Sequence, residues 1–195
     1  FPGDFADGRK YIGDAVARGA AAVIWQTGDD FRWQPEWYVP NFAVPAARPL
    51  CGPLAHAVYG YPSERLSLIA LTGTNGKTTI TNLIKHILTE NGRKVGLIGT
   101  IQNEIGDEIV HTDNTTPFVY DLMALYAKMA EAGCDDVVME VSSFGLVQQR
   151  IGETHFAAAV FTNLTQDHLD YHGTMENYYQ AKKLLFSRCD TAVID

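Results

Sequence analysis

The chemistry in this chain gathers around Gly73-Thr74-Asn75-Gly76-Lys77-Thr78-Thr79. Its two glycines let the backbone turn tightly and aim N–H groups inward, as a phosphate cradle requires. Lys77 can reach β- and γ-phosphates, and Thr78 offers a hydroxyl to Mg²⁺. The usual pattern carries an earlier glycine where this chain has Leu71. A glycine-rich strand–helix turn with an incidental lysine is the competing explanation.

Further along, Glu140 closes the apolar run Val137-Val138-Met139. Ligands of open α/β sheets bind beyond such strand ends, and a carboxylate there suits Mg²⁺; a strand cap would look the same. The segment Thr162 to His172 packs Asp167, His168, Asp170 and His172 close together. That set could hold a metal or orient a nucleotide, and a polar surface loop would resemble it. Asp113-Asn114-Thr115-Thr116-Pro117 precedes a helical stretch, as a helix cap or as a receptor for an anionic substrate. Ser142, Ser143, Gln148 and Arg150 follow Glu140. The guanidinium fork of Arg150 fits phosphate or carboxylate, although a solvated arginine is equally compatible with its spacing. Lys182-Lys183 reads, from residue types alone, as a solvated helix face.

These residues need elements to position them. Leu66 to Thr72 is a continuous apolar run, as a buried parallel strand should be. Ile80, Leu83, Ile84, Ile87 and Leu88 then give one apolar face of a helix stopped at Asn91-Gly92. Strands are expected over Lys94–Ile101, Val137–Val141, Ala157–Thr162 and Ala192–Ile194, and a hairpin turn at Ile105–Glu108. Helices are expected over residues 118–132 and 175–186. Alternation of this kind predicts an α/β fold with a doubly wound, mostly parallel sheet. Before it, residues 1–65 read as part of a small α/β domain. There a short helix ends at Arg18-Gly19, strands form at Ala21–Trp25 and Trp37–Val39, and a helix covers Leu54–Tyr59. Residues 66–195 read as part of a central nucleotide-binding domain.

Composition excludes several classes. A net charge of −8 without a Lys/Arg cluster argues against nucleic acid as a partner. No apolar stretch approaches the roughly 20 residues that span a bilayer, so no membrane insertion is expected. Cys51, Cys134 and Cys189 make no metal-binding spacing and suit reduced thiols.

Together the motifs resemble the Mur ligases, and within them the branch that makes the UDP-N-acetylmuramoyl-tripeptide. The resemblance rests on Thr72–Thr79, Asn114–Pro117, Met139–Ser143, Gly145–Gln148 with Arg150, Phe161–Leu164, Asp167–Gly173, and Ala181-Lys182 with Leu184-Leu185-Phe186. The short loop beginning at Gly73 is that family's form. The resemblance implies an ATP-dependent amide ligase. It would phosphorylate the glutamyl carboxylate of UDP-MurNAc-L-Ala-D-Glu, and the amine of a diamino acid, meso-diaminopimelate before L-lysine, would attack the acyl phosphate.

By position, Gly73, Thr74, Asn75, Gly76, Lys77, Thr78 and Thr79 would bind ATP, and Thr78 and Glu140 would hold one Mg²⁺. His168 and a carbamylated Lys182 would serve a second. Lys77, Lys182 and His168 would be the catalytic set, and Asn114, Thr115, Thr116, Ser142, Gln148 and Arg150 the UDP-substrate ligands. Phe144 stands where the family commonly has histidine. The resemblance also implies a C-terminal ligase domain beyond Asp195, so this piece alone is expected not to ligate. A monomer in the bacterial cytoplasm is expected. A folylpolyglutamate synthetase-like ligase and a non-catalytic Mur-like nucleotide-binding domain are the alternatives. A kinase or GTPase is disfavoured, because no Asn-Lys-x-Asp base-recognition motif appears.

Overall fold

The computed structural model describes residues 1–3 and 6–194. It divides into two compact units, Phe1–Cys51 and Gly52–Asp195. The first holds helix α1 (Ile12–Ala17) and a two-stranded parallel sheet, β1 (Val23–Gln26) with β2 (Asn41–Val44). The strand expected at Trp37–Val39 does not form. Trp37 instead joins an aromatic cluster, edge-on to Trp33 at 5.0 Å and stacked on Phe31 at 6.4 Å. Large rings bury more surface by clustering than by alternating along an exposed strand. Arg9, almost wholly buried, ties this unit together through Asp7, Asp29 and the carbonyls of Gln26 and Gly28.

The second unit begins within α2 (Cys51–Val58), at Gly52. It continues through β3 (Ser67–Thr72), α3 (Lys77–Glu90), β4 (Val95–Ile98), β5 (Asn103–Ile105), β6 (Glu108–Val110) and α4 (Val119–Glu131). Then come β7 (Asp136–Glu140), α5 (Ser143–Val147), β8 (Phe156–Phe161), α6 (Leu169–His172), α7 (Met175–Lys183) and β9 (Cys189–Ile194). The expected final helix therefore stops at Lys183 and continues as a 3₁₀ segment, Leu184–Arg188.

The sheet order is β6-β5-β4-β7-β3-β8-β9. Strands β4, β7, β3, β8 and β9 run parallel, and the β5–β6 hairpin caps one edge antiparallel. This is an α/β fold with a mostly parallel central sheet. Leu71, Val95, Leu97 and Val138 form one core layer, against which Ile80, Ile84 and Leu88 of α3 pack. Leu83 and Ile87, expected on the same apolar face, are 54% and 52% exposed, because the packed stripe is only the i, i+4, i+8 row. On the other face, α4 buries Leu122, Met123, Tyr126 and Met129. A Cβ on Gly96 would lie 2.6 Å from Met129 Sδ, so β4 needs glycine where α4 crosses. Helices thus cover both faces. The first parallel strand, β3, lies between β7 and β8. Its carboxyl end is therefore flanked by two strand ends that can supply ligands.

Candidate nucleotide and substrate site

The phosphate loop joins β3 to α3. Gly73 has φ +142°, and a Cβ there would lie 2.0 Å from Thr162 Oγ1. Only glycine meets both demands. Gly76 has φ +83° and caps α3. The loop is fastened from the exit of β8. Thr74 N donates to Asn163 O at 2.9 Å, and Asn75 N to Asn163 Oδ1 at 3.0 Å. The carbonyl of Asn75 accepts from Thr162 Oγ1 at 2.7 Å and from Asn163 Nδ2 at 3.1 Å. Thr74 Oγ1 donates to Thr165 O at 3.1 Å. The side-chain amide of Asn163 bonds both the N–H and the carbonyl of Asn75, as a neighbouring strand would. Asn75, Gly76 and Thr79 are exposed at the mouth of the loop.

Lys77 Nζ donates to the loop's own carbonyls, Gly73 O at 3.0 Å and Thr74 O at 2.9 Å. Burial lowers its pKa, while the charges of Glu140 and Asp167 work in the opposite direction. Thr78 Oγ1 donates to Glu140 Oε1 at 2.9 Å. Glu140 is buried at the end of β7, and its oxygens also accept from Thr100 N at 3.1 Å and Thr100 Oγ1 at 3.0 Å. A hydroxyl and a carboxylate so close form an oxygen-only donor pair, which suits a hard cation such as Mg²⁺.

Lys182, assigned to a solvated face by residue type, is buried. Its Nζ donates to Gly73 O at 2.7 Å and lies 4.4 Å from the centre of the Tyr178 ring. Burial, aided by the charge of Lys77 and opposed by Asp167, lowers its pKa to about 7. His168 also packs near this tyrosine. Its exposed ring is 6.1 Å from that of Tyr178 and 5.0 Å from that of Phe144. An ammonium offers a metal no lone pair, and among the described residues no group of three or more His, Cys, Asp or Glu is arranged to hold a metal ion.

Of the acidic and histidine cluster, Asp167 is near enough to act on both Lys77 and Lys182. His172 turns instead to Ser143, with Nε2 2.9 Å from Oγ, and Asp170 is exposed. Phe144 fills the space among these rings, 4.4 Å from Tyr171 and 5.7 Å from His172.

The expected substrate ligands form one network. Arg150 donates through Nε and Nη2 to Gln148 Oε1, at 3.0 and 2.7 Å. Its Nη1 donates to Asn114 Oδ1 at 3.1 Å and to Thr116 O at 2.9 Å. The guanidinium sits 4.1 Å over the ring of Phe118, and burial lowers its pKa. Four of its five N–H groups are thereby used, leaving one on Nη2. Thr116 Oγ1 accepts from Ser142 N at 2.9 Å, and Ser142 Oγ caps α5 by accepting from Gly145 N at 3.0 Å. Thr115 stands slightly apart, its Oγ1 3.0 Å from Thr100 Oγ1.

Sequence reasoning missed Thr100, Phe118 and Tyr178, and it singled out the segment holding Thr162, Asn163 and Thr165 without their hold on the loop. The usable signal was position: most follow a buried strand at the carboxyl edge of the sheet. Among the described residues no helix is long and apolar enough to cross a membrane.

The fold and the loop can be set beside known proteins. The Mur ligase middle domain model matches residues 71–195, a span that runs from the end of β3 through β9. A UDP-N-acetylmuramoyl-L-alanyl-D-glutamate–2,6-diaminopimelate ligase of Chromobacterium violaceum is 46% identical over 184 residues, covering 94% of this chain and 37% of the relative. The ligase of the same name from Neisseria meningitidis serogroup A is 45% identical over 185 residues, covering 95% and 38%. A solved structure with that name superposes with a TM-score of 0.77 at 33% identity, over 95% of this chain and 37% of that one. The chain thus spans less than two-fifths of the length of these relatives. With the glycine-built loop, the carboxylate at the end of β7 and the match over most of its length, the chain belongs to the Mur ligase family.

Proposed function

We propose that this chain supplies the phosphate loop and the UDP-substrate site of an ATP-dependent ligase. The enzyme would join meso-diaminopimelate, in preference to L-lysine, to UDP-MurNAc-L-Ala-D-Glu through an acyl phosphate. This is a step of peptidoglycan precursor synthesis, carried out by a monomer in the bacterial cytoplasm. The diaminopimelate reading is supported by the names of the similar ligases. The observation that carries the proposal is the continuity of the two sites. Thr78 bonds Glu140, Glu140 bonds Thr100, and Thr100 touches Thr115 beside the Arg150 network.

In this reading Gly73 to Thr79 cradle ATP. Lys77 exchanges the carbonyls of Gly73 and Thr74 for phosphate oxygens, which its charge favours. Thr78 and Glu140 would hold Mg²⁺, which when bound neutralises charge on the transferred phosphoryl group. Asn114, Thr115, Thr116, Ser142, Gln148 and Arg150 would orient the UDP-linked dipeptide. Arg150 keeps its one free N–H for an anionic group, with its other donors locking the fork.

Lys182 has the chemistry that carbamylation needs. With a pKa of about 7, a large share of its amines is unprotonated at neutral pH. Attack on CO₂ forms an N–C bond, releases a proton and leaves a carbamate anion. That anion, with His168, would serve a second Mg²⁺.

Calorimetry with Mg·ADP and with UDP-MurNAc-L-Ala-D-Glu tests the reading, and binding of neither overturns it. Arg150→Ala is expected to weaken binding of the UDP-dipeptide by about 10- to 100-fold, the loss of a charge-assisted contact. Mg·ADP affinity should stay unchanged, as measured in the same titrations. Grafting the chain into the Chromobacterium violaceum ligase should preserve ADP release with diaminopimelate over L-lysine. The chain alone is expected to bind without forming tripeptide.

A further inference from the structure

We propose that Thr100 is a positioning residue that orients Glu140 for a divalent cation and is itself steadied by the substrate loop. The inference rests on the reading of Glu140 and Thr78 as cation ligands. Thr100 follows β4 after Gly99 and supplies two donors to one carboxylate: N to Oε1 at 3.1 Å and Oγ1 to Oε2 at 3.0 Å. Thr78 also donates to Oε1. If its hydroxyl turns to the cation, that bond is lost. The Thr100 pair then holds both carboxylate oxygens in place, leaving their outward lone pairs for the ion.

Two further observations support the role. A Cβ on Gly99 would lie 2.8 Å from Glu140 Oε1, so the exit of β4 is shaped around this carboxylate. The proton arrangement is also one-way. A carboxylate only accepts, so the single hydroxyl proton of Thr100 goes to Oε2. The 3.0 Å contact with Thr115 must then be filled by the proton of Thr115. Thr115 therefore turns lone pairs toward the substrate and would accept from a substrate N–H or O–H. The glutamate's orientation and the polarity of the substrate loop follow from the same threonine.

Thr100 is exposed, so its isosteric replacement leaves the core intact. The experiment uses the 195-residue chain, with ADP as the probe, titrated calorimetrically over a series of MgCl₂ concentrations. Thr100→Val should raise the Mg²⁺ concentration for half-maximal enhancement of ADP binding about 10- to 100-fold, as expected for a charge-assisted hydrogen bond. ADP affinity in EDTA and the thermal midpoint should match the wild type. Thr100→Ser, which keeps both donors, should restore the wild-type Mg²⁺ dependence, and Thr100→Ala should behave like valine without adding bulk. Wild-type Mg²⁺ dependence in the valine and alanine variants would overturn the proposal and leave the cation reading standing. Wild-type binding that ignores Mg²⁺ would overturn both.

Discussion

Gly73→Ala should abolish nucleotide binding and destabilise the chain by roughly 2–4 kcal/mol. Two costs combine. The backbone at Gly73 has φ +142°, a region that L-residues with a side chain rarely adopt. The added methyl would also lie 2.0 Å from Thr162 Oγ1, the hydroxyl that holds Asn75 O. Relief requires the loop to move away from β8, breaking the bonds from Asn75 and Thr74 to Asn163. A melting curve should show a midpoint lowered by roughly 5–15 °C, and calorimetry with Mg·ADP should show no heat of binding. A Gly73→Ala chain that binds ADP normally would mean that the loop's shape does not depend on this close approach.

The second large effect concerns Lys182. Its amine is buried and keeps a pKa of about 7, against about 10.4 for a lysine in the unfolded chain. Between those values the unfolded chain binds more protons than the folded one, so stability rises with pH across the window. The penalty of the buried charge is complete below pH 7 and gone above about pH 10. Lys182→Met removes the penalty, and Gly73 O still accepts from Lys77. The variant should therefore be more stable than the wild type near pH 6, by an amount on the order of a few kcal/mol. The two should converge toward pH 10. Urea unfolding at several pH values measures this. A constant difference between the two chains across the range would show that the amine titrates normally. The same substitution removes the group that carbamylation would modify, so a gain in stability would come with a loss in ligation by the grafted enzyme.

How much of this could be read before the structure depended on the range of the interaction. The loop at Gly73 is local: glycines, lysine and threonine lie within a few residues, between an apolar strand and an amphipathic helix. The grouping of Asn114, Thr116, Gln148 and Arg150 was legible from the family resemblance, and the hydrogen bonds of Arg150 give it a physical form. The fastening of the loop by Thr162, Asn163 and Thr165 was not legible. Those contacts join the ends of neighbouring strands from positions 87 to 91 residues apart, and nothing in the residue types distinguishes a clamp from a polar turn. Thr100 escaped notice for the same reason. Lys182 was misread from residue type because a lysine on a polar helix is usually solvated; here α7 turns that face toward the loop. In the first unit, Trp37 has the β propensity of a strand residue, yet ring packing decided its place.

The clamp between the loop and the exit of β8 also bears on the order of folding. Thr74 and Thr165 meet across a separation of 91 residues. Closing so long a span is slow relative to forming α3 or the β5–β6 hairpin, whose contacts are local. The cradle can take its final shape only after β8 has paired with β3. On the proposed function, affinity for nucleotide would be acquired late, and a ligand signal during refolding would report completion of the central sheet rather than the first appearance of helix.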